Sequence, residues 1–156
     1  MDKKATVAEL ESGFQKLLAS FKDLDDRAMQ RVFYGSWSVK DILAHIAGWH
    51  QQMTGALERM ARGERPTPEG VDYSDGDAWN AKFASAMRAQ SPPTVVAILR
   101  QSFANYLRAA RALPDDRFGD GKTANRLLET SGYGHYAEHR PAIEEFAAKA
   151  KAAAPA

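Results

Sequence analysis

The spacing of apolar residues is the feature that most limits what this chain can fold into. In four long segments they recur every three or four residues, which is the period of an α-helix. The segments run from Thr6 to about Lys22, from Ser38 to about Met60, from Ser91 to Leu113 and from Thr123 to Lys149. No segment alternates between apolar and polar residues as a β-strand does. The chain is therefore predicted to be all-α.

Local signals mark the ends of the first two segments. Thr6 followed by Glu9, and Ser38 followed by Asp41, have the spacing of capping boxes, in which two side chains satisfy the free amides of a helix start. Gly63 is expected to end the second helix, because glycine readily adopts the left-handed backbone that follows a helix.

The connections predict how these helices are arranged. Residues from Gly63 to Gly76 lack periodicity, and a loop of about fourteen residues is long for one domain. A short helix is expected from Asp77 to Gln90. We predict a single domain over residues 1–156, a four-helix bundle with a long crossover connection and a short extra helix. The loop is interpreted as a solvated connection, and the alternative is a cover over one mouth of a pocket.

The charge balance and the hydropathy of the chain argue against nucleic acid and membranes as partners. Lysine and arginine number 21 and aspartate and glutamate 20, which gives a net charge of +1. Such a balance predicts no nucleic-acid partner and no attraction to an anionic membrane. No apolar stretch approaches the ~18 residues that would span a bilayer. With no signal-peptide core recognisable, a cytoplasmic location is expected.

The chain contains no cysteine, which excludes disulfides, thiolate zinc sites and a cysteine nucleophile. A metal site would have to use histidine, carboxylate or backbone oxygen. Three of the four histidines have a suitable spacing. His135 and His139 are one helical turn apart and share a face, and His45 lies on the apolar stripe of the second helix. His50 is turned about 140° from His45, so it is expected to point outward or towards a helix edge.

These three histidines are predicted to bind a divalent metal, with Zn²⁺ or Ni²⁺ favoured and Mn²⁺ or Fe²⁺ as alternatives. Three protein ligands would leave positions open for water or substrate, as in catalytic sites. The alternative interpretation is that they are ordinary hydrogen-bonded residues of the core.

Neighbouring side chains are candidates for the chemistry. Asp41 and Glu138 are candidate catalytic carboxylates, although Asp41 also fits a capping role and Glu138 a solvent-exposed position. Trp49, Tyr106 and Tyr136 are candidate substrate-binding residues, and the alternative is that they are core aromatics.

Irregular backbone is expected beside the paired histidines. Pro141 removes a helical hydrogen bond, and Gly132 and Gly134 weaken the helix just before His135. A kink at this point is typical of a segment that aims functional side chains, and relief of packing is the alternative explanation.

Two stretches resemble a known family. The segment from Gly35 to His45 resembles the start of the second helix of the DinB/YfiT-like superfamily, and the segment from His135 to His139 resembles its C-terminal histidine pair. The stretches from Asp77 to Phe83 and from Gly134 to His139 are most similar to the ClbS/DfsB-like branch. The resemblance implies a crossed helix bundle with a three-histidine metal site at one end.

The resemblance also implies two classes of function. Some members are metal-dependent transferases and isomerases that use a small thiol, and members on the ClbS side protect the cell by hydrolysing a DNA-damaging metabolite. We therefore expect an enzyme that acts on a small molecule by hydrolysis or by transfer with an external low-molecular-weight thiol. The alternative is a metal-independent protein that binds a toxin. A third interpretation is a helical module that serves only assembly, and a homodimer is compatible with each.

Overall fold

A computed structural model of the chain describes residues 1–153, and within that range the backbone is helical without a β-strand. The helices are α1 (Lys3–Phe21), α2 (Asp26–Met29), α3 (Val39–Ala61), α4 (Gly76–Ala86), α5 (Pro92–Ala112), α6 (Thr123–Leu128) and α7 (Gly134–Ala153). The predicted all-α class is confirmed. No helix in this range is both long enough and apolar enough to cross a membrane.

One predicted helix start is confirmed and the other is wrong. At α3, the Ser38 hydroxyl accepts from the backbone amide of Asp41, and the Asp41 carboxylate accepts from the backbone amide of Ser38. At α1, the capping residue is Asp2, whose carboxylate accepts from the amide of Ala5 at 2.8 Å. The helix therefore begins before Thr6, whose buried hydroxyl donates to the Asp2 carbonyl and is not a cap.

Four long helices form the bundle. The middle pair, α3 and α5, packs together, as do the first and last helices, α1 and α7. Contacts of α1 with α5 and of α3 with α7 join the two pairs. The short α4 lies in the connection from α3 to α5 and packs against α3. The core between the helices is apolar and includes Leu10, Leu17, Ile42, Leu43, Ile46, Leu57, Leu99 and Ile143, all fully buried.

The last segment is not the single helix that its periodicity predicted. Between α6 and α7, residues Glu129–Tyr133 form a π-helical turn in which Gly132 has the non-helical angles φ −118° and ψ −116°. A Cβ atom on Gly134 would lie 2.6 Å from the carbonyl oxygen of Glu129, so only glycine fits there. The turn thus starts α7 one residue before His135. The helix continues through Pro141 to Ala153, beyond the predicted end at Lys149.

A second glycine sets the distance between α3 and α4. A Cβ atom on Gly48 would lie 2.2–2.7 Å from atoms of the Phe83 side chain, so the ring of α4 rests directly on the backbone of α3. A Cβ atom on Gly55, two turns further along α3, would have no other atom within 4 Å.

The two glycines give a matched pair of substitutions. We expect Gly48→Ala to lower the free energy of unfolding by about 1–3 kcal/mol, because the added methyl overlaps Phe83. Gly55→Ala should raise it by up to about 1 kcal/mol through helix propensity alone. Urea unfolding of both variants checks this. Equal stability of the two variants would contradict the close approach of α4.

Candidate metal centre

Three histidines meet where α3 and α7 face each other. The Nε2 atom of His135 lies 3.0 Å from Nε2 of His45 and 3.1 Å from Nε2 of His139. One nitrogen from each ring lies within 4.8 Å of the others, and all three residues are buried. The structure therefore brings together the three side chains that spacing selected.

Burial keeps these rings neutral. Loss of solvation, aided by the two neighbouring imidazoles, lowers the pKa of His45 to about 2, although the nearby backbone of Ile42 and Asp41 opposes this. Burial and His139 lower the pKa of His135 to about 3. Burial also lowers the pKa of His139, against an opposing effect of Glu138. Neutral imidazole is the form that binds a metal ion, so the ligand set does not have to lose protons at neutral pH.

The hydrogen bonding of the three rings is incomplete, which is the observation that tests a metal here. Each ring nitrogen carries one proton or one lone pair, and Nε2 of His135 has to serve both neighbours. A cation between the rings would accept all three lone pairs. At metal–nitrogen distances of about 2.1 Å, two ligand nitrogens lie about 3.0–3.4 Å apart. The contacts of His135 have this separation, so the residues fit a divalent ion.

Aromatic rings pack against two of the three histidines. The Nδ1 atoms of His45, His135 and His139 are buried and have no hydrogen-bond partner among the described residues. The Trp37 ring lies 4.7 Å from the His45 ring, and the Tyr34 ring is edge-on to His139 at 6.1 Å. Both aromatics belong to a tight turn that includes Gly35 at φ +59°.

Neither Tyr34 nor Trp37 was predicted to contact the metal-binding histidines. The sequence signal that could have found them is the glycine-containing turn immediately before the Ser38 cap, because the cap holds that turn at the end of α3 that carries His45.

The three histidines lie at the wall of a cavity of about 890 Å³. Its aromatic lining consists of Tyr34, Trp37, Trp49 and Tyr73, and its charged lining of Asp77, Arg126 and Glu138. Two predicted site residues, Trp49 and Glu138, are therefore at the cavity. A pocket with apolar walls and a few polar groups is typical of small-molecule sites.

Three other predicted site residues lie outside the cavity lining. The Asp41 carboxylate caps α3, where it accepts from the backbone amide and the hydroxyl of Ser38. The Tyr106 hydroxyl donates to the carbonyl of Leu127 at 3.0 Å. Tyr106 and Tyr136 are fully buried, so they are core aromatics and do not reach a ligand in this cavity.

The expectation that His50 points outward is wrong. Its ring is completely buried, because the face of α3 that carries it meets α5 and α7 rather than water. The Ser102 hydroxyl donates to the carbonyl of Leu99, so it accepts from Nδ1–H of His50 at 2.8 Å. Nε2 is then the acceptor for the Tyr136 hydroxyl. Every polar atom of the His50 ring is satisfied.

The connection before α4 forms part of the cavity wall. The Tyr73 hydroxyl donates to Oε1 of Gln52 on α3 at 2.8 Å, and Nε1 of Trp79 donates to the carbonyl of Asp72 at 2.7 Å. Residues 63–76 were interpreted as a solvated connection. The structure instead supports the alternative, in which this segment covers one side of the pocket.

Comparisons with known proteins agree with this architecture. The family model described as mycothiol maleylpyruvate isomerase N-terminal domain matches residues 7–121. No curated protein matches the chain. Among solved structures, the colibactin self-resistance protein ClbS in complex with a dsDNA has a TM-score of 0.81 at 13% identity, covering 93% of this chain and 94% of that chain.

Two further solved structures share the fold. "Sibling Lethal Factor Precursor - DfsB" has a TM-score of 0.81 at 15% identity, covering 97% of this chain and 98% of that one. An uncharacterised protein from Escherichia coli UTI89 has a TM-score of 0.77 at 20% identity, covering 96% and 95%. The resemblance to the DinB/YfiT-like superfamily is confirmed, and ClbS and DfsB share the fold of this chain.

The exclusion of nucleic acid as a partner is wrong. ClbS, a protein of the same fold, is crystallised with double-stranded DNA. The exclusion came from the net charge of +1, which is a sum over the whole chain. Binding to phosphates depends on the local arrangement of cations, and a balanced total does not describe that arrangement.

The buried state of His50 predicts how stability depends on pH. Burial, with a smaller effect of His135, lowers the pKa of His50 to about 3 in the folded chain, against 6.5 when unfolded. Below pH 6.5, His50 becomes protonated in the unfolded chain but stays neutral in the folded chain, so the free energy of unfolding decreases as the pH falls from 6.5 towards 3. The substitution His50→Gln removes the titrating imidazole and with it this pH dependence. At pH 7.5 the variant should be less stable than the wild type by about 1–3 kcal/mol, because the hydrogen bonds of His50 are lost. Below pH 6.5 this difference in the free energy of unfolding should shrink by about 1.4 kcal/mol per pH unit.

Urea unfolding of both proteins from pH 7.5 to pH 4.5, with chelator present, measures this difference. The other three histidines are common to both proteins, so their contribution cancels. A deficit that stays constant over the whole range would contradict the assignment of His50 as a neutral, buried imidazole.

Proposed function

The chain belongs to the mycothiol maleylpyruvate isomerase N-terminal domain family, and on this basis we propose that it is a metal-dependent enzyme. Its divalent ion would be held by His45, His135 and His139. Its substrate would be a small molecule bound in the adjoining cavity, and the reaction would be hydrolysis or transfer with an external thiol.

One observation carries this proposal: three neutral, buried imidazoles converge beside an open cavity. Structural zinc sites use four protein ligands, whereas sites that do chemistry keep a position open for water or substrate. Three histidines at a cavity wall match the second arrangement.

The donor set suits Zn²⁺ or Ni²⁺, because imidazole nitrogen binds these borderline metals. When bound, such an ion lowers the pKa of a coordinated water or thiol and so supplies a nucleophile at neutral pH. The chain has no cysteine, so any thiol has to come from outside the protein.

The protein's own residues would prepare this site. Glu138 lines the cavity next to His139, and its exposed carboxylate would accept a proton from a bound nucleophile. Trp49 provides an apolar wall for the substrate. Asp41 would act as a positioning residue, since its cap fixes the start of α3 one turn before His45.

A second candidate function is metal-independent binding of a small molecule, in the manner of a protection protein. The aromatic lining of Trp37, Trp49 and Tyr73 supports it, as does the fold shared with ClbS and DfsB. A ligand would then stabilise the protein in the presence of chelator and after loss of His135. Double-stranded DNA, present with ClbS, belongs among the ligands tested.

Metal analysis of untagged protein tests the first candidate. We expect about one Zn²⁺ or Ni²⁺ per chain after loading. At a free metal concentration of about 100 Kd, binding should stabilise the fold by about 2.7 kcal/mol, which raises Tm by about 5–10 °C for a chain of this size. His139→Ala should abolish this shift, because only two ligands remain.

His50→Gln is the matched control, since it also removes a buried histidine between the same helices. It should lower the Tm of the metal-free protein and retain the metal-dependent increase. Wild-type protein that binds no metal, or a His139→Ala variant with an unchanged increase in Tm, would contradict the proposal.

A further inference from the structure

The wall of the cavity formed by α4 is held in one defined position. Because Gly48 has no side chain, the Phe83 ring lies directly on α3. The Trp49 ring then packs edge-on to Phe83 with 5.3 Å between centroids, and edge-on to Tyr73 at 5.6 Å. Asn80 lines the cavity on the same helix as Phe83. A side chain on this wall therefore has a fixed place relative to the cavity.

A hydrogen bond fixes the orientation of the Asn80 amide. Nε1 of Trp49 lies 2.6 Å from Oδ1 of Asn80. An indole N–H can only donate, so the oxygen of the amide has to face it. The two N–H groups on Nδ2 of Asn80 consequently point to other surroundings, and they have no partner among residues 1–153.

The other polar groups of this aromatic wall donate their hydrogen bonds to acceptors within the protein. The Tyr73 hydroxyl donates to Gln52, and the Trp79 indole donates to the carbonyl of Asp72. Together with Trp49, these groups present ring faces and edges, with no free proton. The NH₂ group of Asn80 is thus the donor that this wall offers to a ligand.

The charges around the cavity favour a neutral acceptor. Asp77 and Glu138 are acidic, and Arg126 is the basic residue of the lining. The guanidinium of Arg126 already donates to the carbonyl of Gly121 at 3.0 Å and to the hydroxyl of Thr123 at 3.3 Å. With the histidines neutral and no metal bound, the lining carries a net negative charge, which disfavours an anionic ligand.

We propose that Asn80 is a specificity-determining residue. It would select a neutral molecule with a flat aromatic body and a carbonyl oxygen, the body packing on Trp49 and Tyr73 and the oxygen accepting from the Asn80 amide. This inference rests on the proposed function only in that the cavity is the ligand site, and it does not require the metal.

Two probes differ in the carbonyl alone. 2-Acetylnaphthalene carries the acceptor, and 2-ethylnaphthalene has the same ring system without it. Titration of ¹⁵N-labelled protein, followed by NMR, gives both affinities and reports the side-chain amide signals of Asn80 directly. The ketone should bind about five- to tenfold more tightly, the effect of one neutral hydrogen bond, and should shift the Asn80 signals. In the presence of chelator, 2-naphthoate should bind more weakly than the ketone.

Asn80→Asp is the decisive variant. Its carboxylate still accepts from Trp49, so the wall is kept, but both donors are lost and the preference for the ketone should disappear. Gln52→Glu is the matched control: it makes the same amide-to-carboxylate change, keeps the acceptor for Tyr73, and lies outside the cavity lining. It should retain the preference. The amide spectra of both variants show whether the fold is intact.

Equal binding of the two neutral probes, a preference that persists in Asn80→Asp, or equal loss of preference in both variants would overturn the proposal. Absence of binding by both probes would also overturn it. The titrations are repeated with chelator, where the preference should remain. A protein that binds no metal but prefers the ketone would contradict the proposed metal-dependent function and support the role of Asn80.

Discussion

An imidazole buried in a helix bundle cannot carry a charge without a large loss of solvation, and four of them lie between α3, α5 and α7. The fold meets this constraint in two ways. His50 is made neutral and fully hydrogen-bonded by Ser102 and Tyr136. The other three rings face one another with incomplete hydrogen bonding, beside an open cavity. The same burial that keeps them uncharged keeps their lone pairs available, so the packing of the core determines the chemistry of the site.

Helix α3 organises the molecule, because each residue along a helix turns by about 100°. Within six residues, His45 faces α7, Gly48 admits Phe83 of α4, and His50 reaches α5. Trp49 lies between these directions and lines the cavity. Removing the glycine or shifting the register would therefore disturb the three clustered histidines, the cavity wall and the core together. The π-helical turn before His135 sets the residue at which α7 begins, and so fixes the position of the histidine pair on that helix.

Much of this could be predicted from the sequence, where the signal was local. The capping box at Ser38, the face shared by His135 and His139, and the place of His45 on the apolar stripe of α3 depend on helical spacing, which can be recognised without the tertiary fold. His50 was misassigned because angular position on one helix does not tell how many neighbours surround it. Tyr106 and Tyr136 were misassigned for the same reason: a tyrosine on an apolar face can line a pocket or fill the core. The net charge led to the wrong exclusion of nucleic acid, because it sums over the whole chain. Binding depends on the local arrangement of charged side chains on the surface.

The most direct test of the account is a crystal structure of untagged protein loaded with zinc at neutral pH, with anomalous data collected at the zinc edge. The account predicts one anomalous peak about 2.1 Å from the Nε2 atoms of His45, His135 and His139, with His50 still bonded to Ser102 and Tyr136. A peak ligated elsewhere, or no peak with the three rings in their present contact, would contradict the account.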